Sequence, residues 1–250
     1  MAAAISIDDV DIGYAGAPVQ RGIRVEIEHG EIFAVVGDSG SGKSTLLKTM
    51  IGLLPPCRGS IRFDGKSLDE LLDGGAAPPF GVLFQNGALW SSMTVAENVM
   101  LPMEMQRYST PETRAELARF KLALVGLSGH EGASPASLSG GMRKRAALAR
   151  ALALDPGVLF LDEPSAGLDP LSSRRLDRLI TGLRDGLGIT VVLVTHELES
   201  LYTIADRMLF LDGEAHRPVA LGAPGELARG AESAKVREFL RTRAPQLEAA

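Results

Sequence analysis

The sequence predicts an α/β fold: a mixed, mainly parallel sheet flanked by helices, with an antiparallel β-subdomain on its N-terminal side and a helical subdomain inserted in the middle. Three observations predict it. Uninterrupted apolar runs at 31–36, 158–161 and 189–194 have the composition of strands covered on both faces, as parallel strands are. The stretches 5–8 and 23–28 instead alternate apolar and polar residues, the pattern of half-buried antiparallel strands. The middle of the chain carries helix-start signals in place of strand signals.

Taken in order, the two alternating stretches form an edge sheet, and the run at 31–36 ends in a glycine loop at 37–42. A helix with apolar spacing follows over 44–54 and stops at Pro55-Pro56, because proline cannot continue it. The run 81–84 is a strand with Gln85 after it. Thr94 with Glu97 spells a capping box, and Thr110-Pro111 sets an N-cap before a proline at the first helical position. The second of these helices runs to about Val125 and ends at Gly126. The helical subdomain then spans about 89–153 and closes with the helix that opens at Ser139-Gly140-Gly141, where Ser139 is the natural N-cap. Beyond it come strands at 158–162 and 189–195, a helix near 171–184 between them, and a last strand at 208–212. A charged helical tail occupies 227–250, so residues 1–250 read as one domain.

Composition narrows the function. In 250 residues, 45% hydrophobic content suffices for a sizeable core. A net charge of −5 excludes a general nucleic-acid binder, which needs a basic face to neutralise phosphates. The single cysteine, Cys57, excludes an internal disulfide framework and fits a reducing compartment, where it reads as a small apolar filler beside the two prolines. The first residues lack a basic region followed by an apolar core, and no uncharged apolar stretch approaches the ~20 residues that span a bilayer. A cytoplasmic protein is expected, with any membrane attachment made through a partner.

The loop Gly37-Asp38-Ser39-Gly40-Ser41-Gly42-Lys43-Ser44-Thr45 fits the phosphate-loop pattern. Its glycines let the main chain wrap a triphosphate with N–H groups pointing inward. Lys43 then reaches the β- and γ-phosphates, and the Ser44 hydroxyl ligates Mg²⁺. The strand 158–161 ends in Asp162 and Glu163, and strand ends are where open α/β sheets bind ligands. Asp162 suits the Mg²⁺ shell, and Glu163 suits a base for the water that attacks the γ-phosphate. Ser139, Gly140 and Gly141 aim free N–H groups and a positive helix end at an anion that this chain does not hold against them. His196 at the end of the 189–195 strand reads alone as a structural hydrogen-bonder, and Gln85 as an ordinary polar residue after a strand.

Phosphate loop, Gln85, Leu138-Ser139-Gly140-Gly141, Asp162-Glu163, Ser165-Ala166-Gly167-Leu168-Asp169 and His196 occur in the order of the ATP-binding cassette (ABC) family, which the chain resembles over nearly its whole length. The resemblance implies an ABC-type P-loop NTPase fold and two cassettes paired head to tail, ATP on one phosphate loop being closed over by the other's signature loop. It makes Tyr14 the platform for adenine, the alternative being a surface aromatic. Gln85 would sense Mg²⁺ and the attacking water and face a membrane partner, and His196 would contact the γ-phosphate. Ser139, Gly140, Gly141 and Met142 would face the ATP of the partner chain, with Asp169 at the dimer seam. One phosphate loop and one signature imply that hydrolysis needs a second copy or another cassette, with membrane spans on another polypeptide.

Within the family the residue after Leu-Ser-Gly-Gly is most often glutamine; here it is Met142. The stretches 138–170 and 81–99 resemble ATPases of MCE-type phospholipid transporters, the lipid-asymmetry and toluene-tolerance systems. This resemblance implies a peripheral protein on the cytoplasmic face of the inner membrane. Its partners would be a multipass permease and, through the complex, a periplasmic MCE-domain lipid carrier. Methionine cannot repeat glutamine's hydrogen bonds, and the alternative is that Met142 only packs. The methionine-rich stretch 90–105 is divided in the same way between core packing and permease contact. Competing functions are a small-solute importer, a cell-division or lipoprotein-release cassette, and a soluble ATP switch.

Overall fold

The computed structural model describes residues 3–14 and 17–241. Two sheets carry the fold. The smaller is antiparallel, in the order β2 (Ala17–Ile27), β1 (Ile5–Tyr14), β4 (Arg58–Phe63), β5 (Lys66–Ser67). The larger runs β10 (Arg217–Gly222), β9 (Arg207–Asp212), β3 (Ile32–Gly37), β8 (Thr190–Val194), β7 (Val158–Asp162), β6 (Phe80–Leu83). All neighbours from β9 to β6 are parallel, and β10 closes the edge antiparallel to β9.

The uninterrupted apolar runs have a direct cause. In β3, Phe33 and Val35 enter a core shared with the antiparallel sheet and helix α1 (Lys43–Met50), while Ala34 and Val36 enter a second core against α7 (Leu198–Ile204) and α9 (Ala234–Arg241). In β7, Val158 and Phe160 join the first core. Leu159 and Leu161 join a third, built with α3 (Val95–Met105), α4 (Pro111–Leu124), α5 (Gly140–Ala151) and α6 (Pro170–Leu187). A strand with a core on each face has no solvent side to keep polar.

Caps set the helix starts. Thr94 and Glu97 close a reciprocal capping box on α3, and the Thr110 hydroxyl accepts from the Thr113 N–H at the start of α4. At the other end of α4, Gly126 takes a left-handed φ of 68°. Helix α1 stops at Met50, short of the expected 54, because Gly52 turns left-handed and the N–H groups of Leu53 and Leu54 fold back onto the Lys48 carbonyl.

Three expectations are corrected. Strand β10 follows the strand read as the last; it is half-exposed and contains Pro218, which an edge strand tolerates and which hides the strand pattern. The tail from 227 is two helices, α8 (Pro224–Gly230) and α9; its final part, 242–250, lies outside the described residues. Cys57 is exposed and fills no core. Within the methionine-rich stretch, Met103 is fully buried, whereas Trp90 and Met105 are exposed. Short α2 (Leu68–Leu72) completes the fold. Among the described residues no helix is long and apolar enough to cross a membrane.

Candidate active site

Strand β3 delivers the chain into the phosphate loop from the middle of the sheet. Gly37 has φ 148°, and a Cβ there would fall 2.2 Å from the Leu211 carbonyl oxygen and 2.7 Å from the Ser41 hydroxyl. Gly42, with φ 95°, caps α1 in the left-handed conformation. Free N–H groups therefore gather around the start of α1, where the helix end favours an anion. Lys43 donates to the carbonyls of Gly37 at 2.8 Å and Asp38 at 2.7 Å, so its ammonium spans the mouth of the loop. Burial pulls that ammonium below the ordinary lysine value, against the pull of Glu163, Asp38 and Asp162.

Strand β7 brings the acids to the same end of the sheet. Burial lifts the Asp162 carboxyl above its ordinary value and Glu163 adds to the lift, while Lys48, Lys144 and Lys43 oppose it. Glu163 adopts φ 47°, rare for a non-glycine residue, and its N–H donates to the Val194 carbonyl at 2.9 Å. That turn sends its side chain toward His196, whose Nδ1 lies 2.8 Å from Oε1. The second oxygen, Oε2, is buried with no hydrogen-bond partner among the described residues. An orphaned buried carboxylate oxygen is costly and is expected to be used. Gly37, Asp38, Lys43, Glu163 and His196 line one cleft of about 550 Å³, which Phe239 of α9 also borders.

Ser39 lines the same cleft, whereas Tyr14, Gln85, the Ser139–Met142 segment and Asp169 are not among its lining residues. Tyr14 ends β1 and is half-exposed. Gln85 follows β6 and shares a smaller cavity with Gly140 and Lys144. The Ser139 hydroxyl accepts from the Met142 N–H at 3.2 Å, which caps α5. Gly140 and Gly141 approach Leu168 and Ser172, so the loop packs against the start of α6. Asp169 caps α6 through the Ser172 N–H, and Ser172 holds its carboxyl below the ordinary value. Gly140 of the signature segment and Gln85 thus line one cavity, and Lys144 joins the Gln85 main chain to that of Glu163 in the neighbouring cleft.

The donor set fits Mg²⁺. Ser44, in the first turn of α1, and Asp162, at the end of β7, offer two hard oxygens, and this ion takes few protein ligands beside phosphate and water. Ser39, Gly40, Ser41 and Thr45 complete the loop and the first turn of its helix.

Two residues escaped the sequence reading. Gln20 of β2 is fully buried and its Nε2 donates to the carbonyls of Ser41 and Asp212, both at 2.8 Å, fastening the phosphate loop to the end of β9. Lys144 of α5 is also buried; it donates to the Gln85 carbonyl and, at 3.2 Å, to the Glu163 carbonyl. Its position four residues before Leu148, on the inward stripe of α5, was the available signal.

The pattern of the ABC transporter family matches residues 20–166. The probable ribonucleotide transport ATP-binding protein mkl of Mycobacterium tuberculosis is 37% identical over 248 residues, 97% of this chain and 68% of that protein. The methionine import ATP-binding protein MetN of Caulobacter vibrioides is 39% identical over 242 residues, 95% and 72% of the two chains. Among solved structures, cbiO1 of Clostridium perfringens, part of the ABC transporter complex cbiONQ, superposes with a TM-score of 0.81 at 28% identity, covering 98% of this chain and 97% of its own. The cassette MJ0796, a dimer in a post-hydrolysis state bound to ADP and Pi, superposes at 0.76 and 27% identity, covering 88% and 98%. With the phosphate loop, acidic strand end and signature helix in one matching fold, this chain belongs to the ABC transporter family, as an ATP-binding cassette that hydrolyses ATP.

Proposed function

We propose that this cassette energises phospholipid transport between the inner and outer membranes, working as a head-to-tail pair bound to a multipass permease, with a periplasmic MCE-domain carrier in the same complex. The observation that carries the catalytic part is Glu163 Oε2, buried and without a partner among the described residues while Oε1 is held by His196. Water donates a proton to Oε2 as its oxygen attacks the γ-phosphorus; the bond to the β-bridging oxygen breaks, and ADP and phosphate leave. His196 orients the carboxylate and contacts the γ-phosphate, and Lys43 binds the β- and γ-phosphates. Ser44 and Asp162, with Gln85, would hold Mg²⁺, which would neutralise charge on the phosphates. Tyr14 stacks on adenine. Ser139, Gly140, Gly141 and Met142 close over the partner's ATP, with Asp169 at the seam and residues 89–153 as the helical lobe.

The lipid part rests on Met142 and the surrounding 138–170 sequence, and the exposed Trp90 and Met105 suit an adaptable permease contact on the cytoplasmic face of the inner membrane. A second reading, small-solute import, is favoured by the names of relatives that import methionine and sulfate. The test is to purify the chain with its permease from membranes and assay ATPase with Lys43→Ala and Glu163→Gln. Loss of hydrolysis in both is expected, and wild-type rates in both would remove the catalytic assignment. Stimulation by a lipid-loaded MCE-domain protein supports the lipid reading; stimulation only by a solute-binding protein overturns it.

A further inference from the structure

The signature helix is anchored to its own chain's catalytic loops by side chains that nothing in the ATP-binding motifs requires. Helix α5 seats tightly on β6: a Cβ at Gly81 would fall 2.0 Å from the Ala151 carbonyl oxygen. From this helix, Arg150 donates to the carbonyls of Gly87 at 2.8 Å and Ala88 at 2.6 Å, gripping the segment just beyond Gln85. One turn and a half earlier, Lys144 donates to the Gln85 carbonyl and to the Glu163 carbonyl. It is 7% exposed, and the nearest charges it feels are Asp162 and Glu163. A buried ammonium is tolerated only where acceptors and counter-charges meet it, so this arrangement is specific.

We infer that Lys144 is a positioning residue that couples the signature loop, five residues upstream at Ser139, to Gln85 and Glu163 of the same chain. The inference rests on the roles proposed above for Ser139, Gln85 and Glu163. Ser139 meets the ATP of the partner cassette, whereas Gln85 and Glu163 serve the chain's own ATP. One ammonium bonded to both of those main chains makes α5 a rigid link between the two nucleotide sites of a dimer. Closure of the signature loop on one ATP then sets the Glu163 turn beside the other. Lys144 touches neither ATP; it acts through the backbone of residues that do.

The experiment compares the full chain, in complex with its permease, as wild type, Lys144→Met, Lys144→Arg and Glu163→Gln. Lys144→Met keeps an unbranched apolar stem of similar reach and removes the donor, so kcat is expected to fall by about tenfold while KM for ATP and binding of a fluorescent ATP analogue stay within about twofold. Lys144→Arg, which retains donors and charge, is expected to recover at least about half of kcat. A wild-type kcat in Lys144→Met overturns the inference. So does a loss of kcat and nucleotide affinity in equal measure, with a lowered melting temperature that Lys144→Arg does not restore, because that is the mark of a merely structural lysine. Glu163→Gln separates the two levels of argument: if it hydrolyses ATP normally, the catalytic reading beneath the inference fails, whereas if it is inactive and Lys144→Met is not, the inference alone fails.

Discussion

The Lys235 ammonium donates to the Asp38 carboxylate at 2.7 Å, so the last described helix is tied to the phosphate loop. The same ammonium reaches Asp212 at 3.1 Å, and the bonds from Asp38 and then Asp212 lift its pKa above the ordinary lysine value. Asp38 is a negative charge at the rim of a triphosphate site, and Lys235 neutralises it. Lys235→Ala is therefore expected to raise KM for ATP about threefold at low salt and less at high salt, since both partners are partly exposed and screened. Asp38→Ser combined with Lys235→Ala is expected to return KM toward wild type. A KM in Lys235→Ala that is raised equally at both salt concentrations would exclude the electrostatic explanation.

Gln20 supplies a second prediction. Its Nε2 satisfies two carbonyls while its own Oε1 is buried without a partner among the described residues. Gln20→Leu relieves the orphaned oxygen but strips a donor from the phosphate loop and from β9, and a buried group left unsatisfied costs about 1–3 kcal/mol. The net effect is a fall in melting temperature of roughly 3–8 °C, together with a higher KM for ATP as the loop loosens. Thermal unfolding by circular dichroism, with and without ATP, measures both. Unchanged stability would mean that water replaces the amide at no cost.

What was readable from the sequence, and what was not, divides by the range of the interaction. The glycine loop, the capping box at Thr94, the N-cap at Thr110 and the strands that face two cores are local patterns, each fixed by a few neighbouring residues. Gln20 and Asp212 are 192 residues apart in sequence, and their bond depends on β2 reaching the far edge of the parallel sheet. Lys144 lies in a basic run that looks solvated; its spacing to Leu148 marks the inward stripe, but only the packing of α5 brings it to the Gln85 and Glu163 carbonyls. Strand β10 carries a proline and no buried face, so neither period nor propensity marked it. The local half of the site was legible; the struts that hold its loops together were not.

Asp177 of α6 gives a pH prediction. Burial raises its carboxyl to about 6, the Ser200 hydroxyl opposes that rise, and Glu199 and Glu197 add to it. The folded state thus binds its proton more tightly than the unfolded chain does. Stability from this group is fully present at low pH, declines as pH climbs from about 4 to about 6, and is flat above. Asp177→Asn stays neutral and can still accept from Ser200, so it is expected to unfold about 3 °C higher than wild type at pH 7.5, with the advantage vanishing near pH 4. A gain of the same size at both values would trace the effect to packing and not to the carboxylate charge.

Met142 is the residue on which the lipid reading leans, and its surroundings make a sharp expectation. Its N–H caps through the Ser139 hydroxyl, a bond that any residue at this position keeps, and its half-buried side chain packs on the core built by α3 to α6. Glutamine matches its length but brings polar atoms to an apolar contact, and such exchanges at partly buried sites cost about 1 kcal/mol. Met142→Gln is expected to keep ATPase within about twofold of wild type and to lower the melting temperature by about 3 °C. The measurement is steady-state hydrolysis with and without permease, beside a thermal scan. Loss of hydrolysis beyond about tenfold, with stability intact, would give the methionine a part in closing over the partner's ATP; retention of both makes it a mark of lineage carried on a backbone cap.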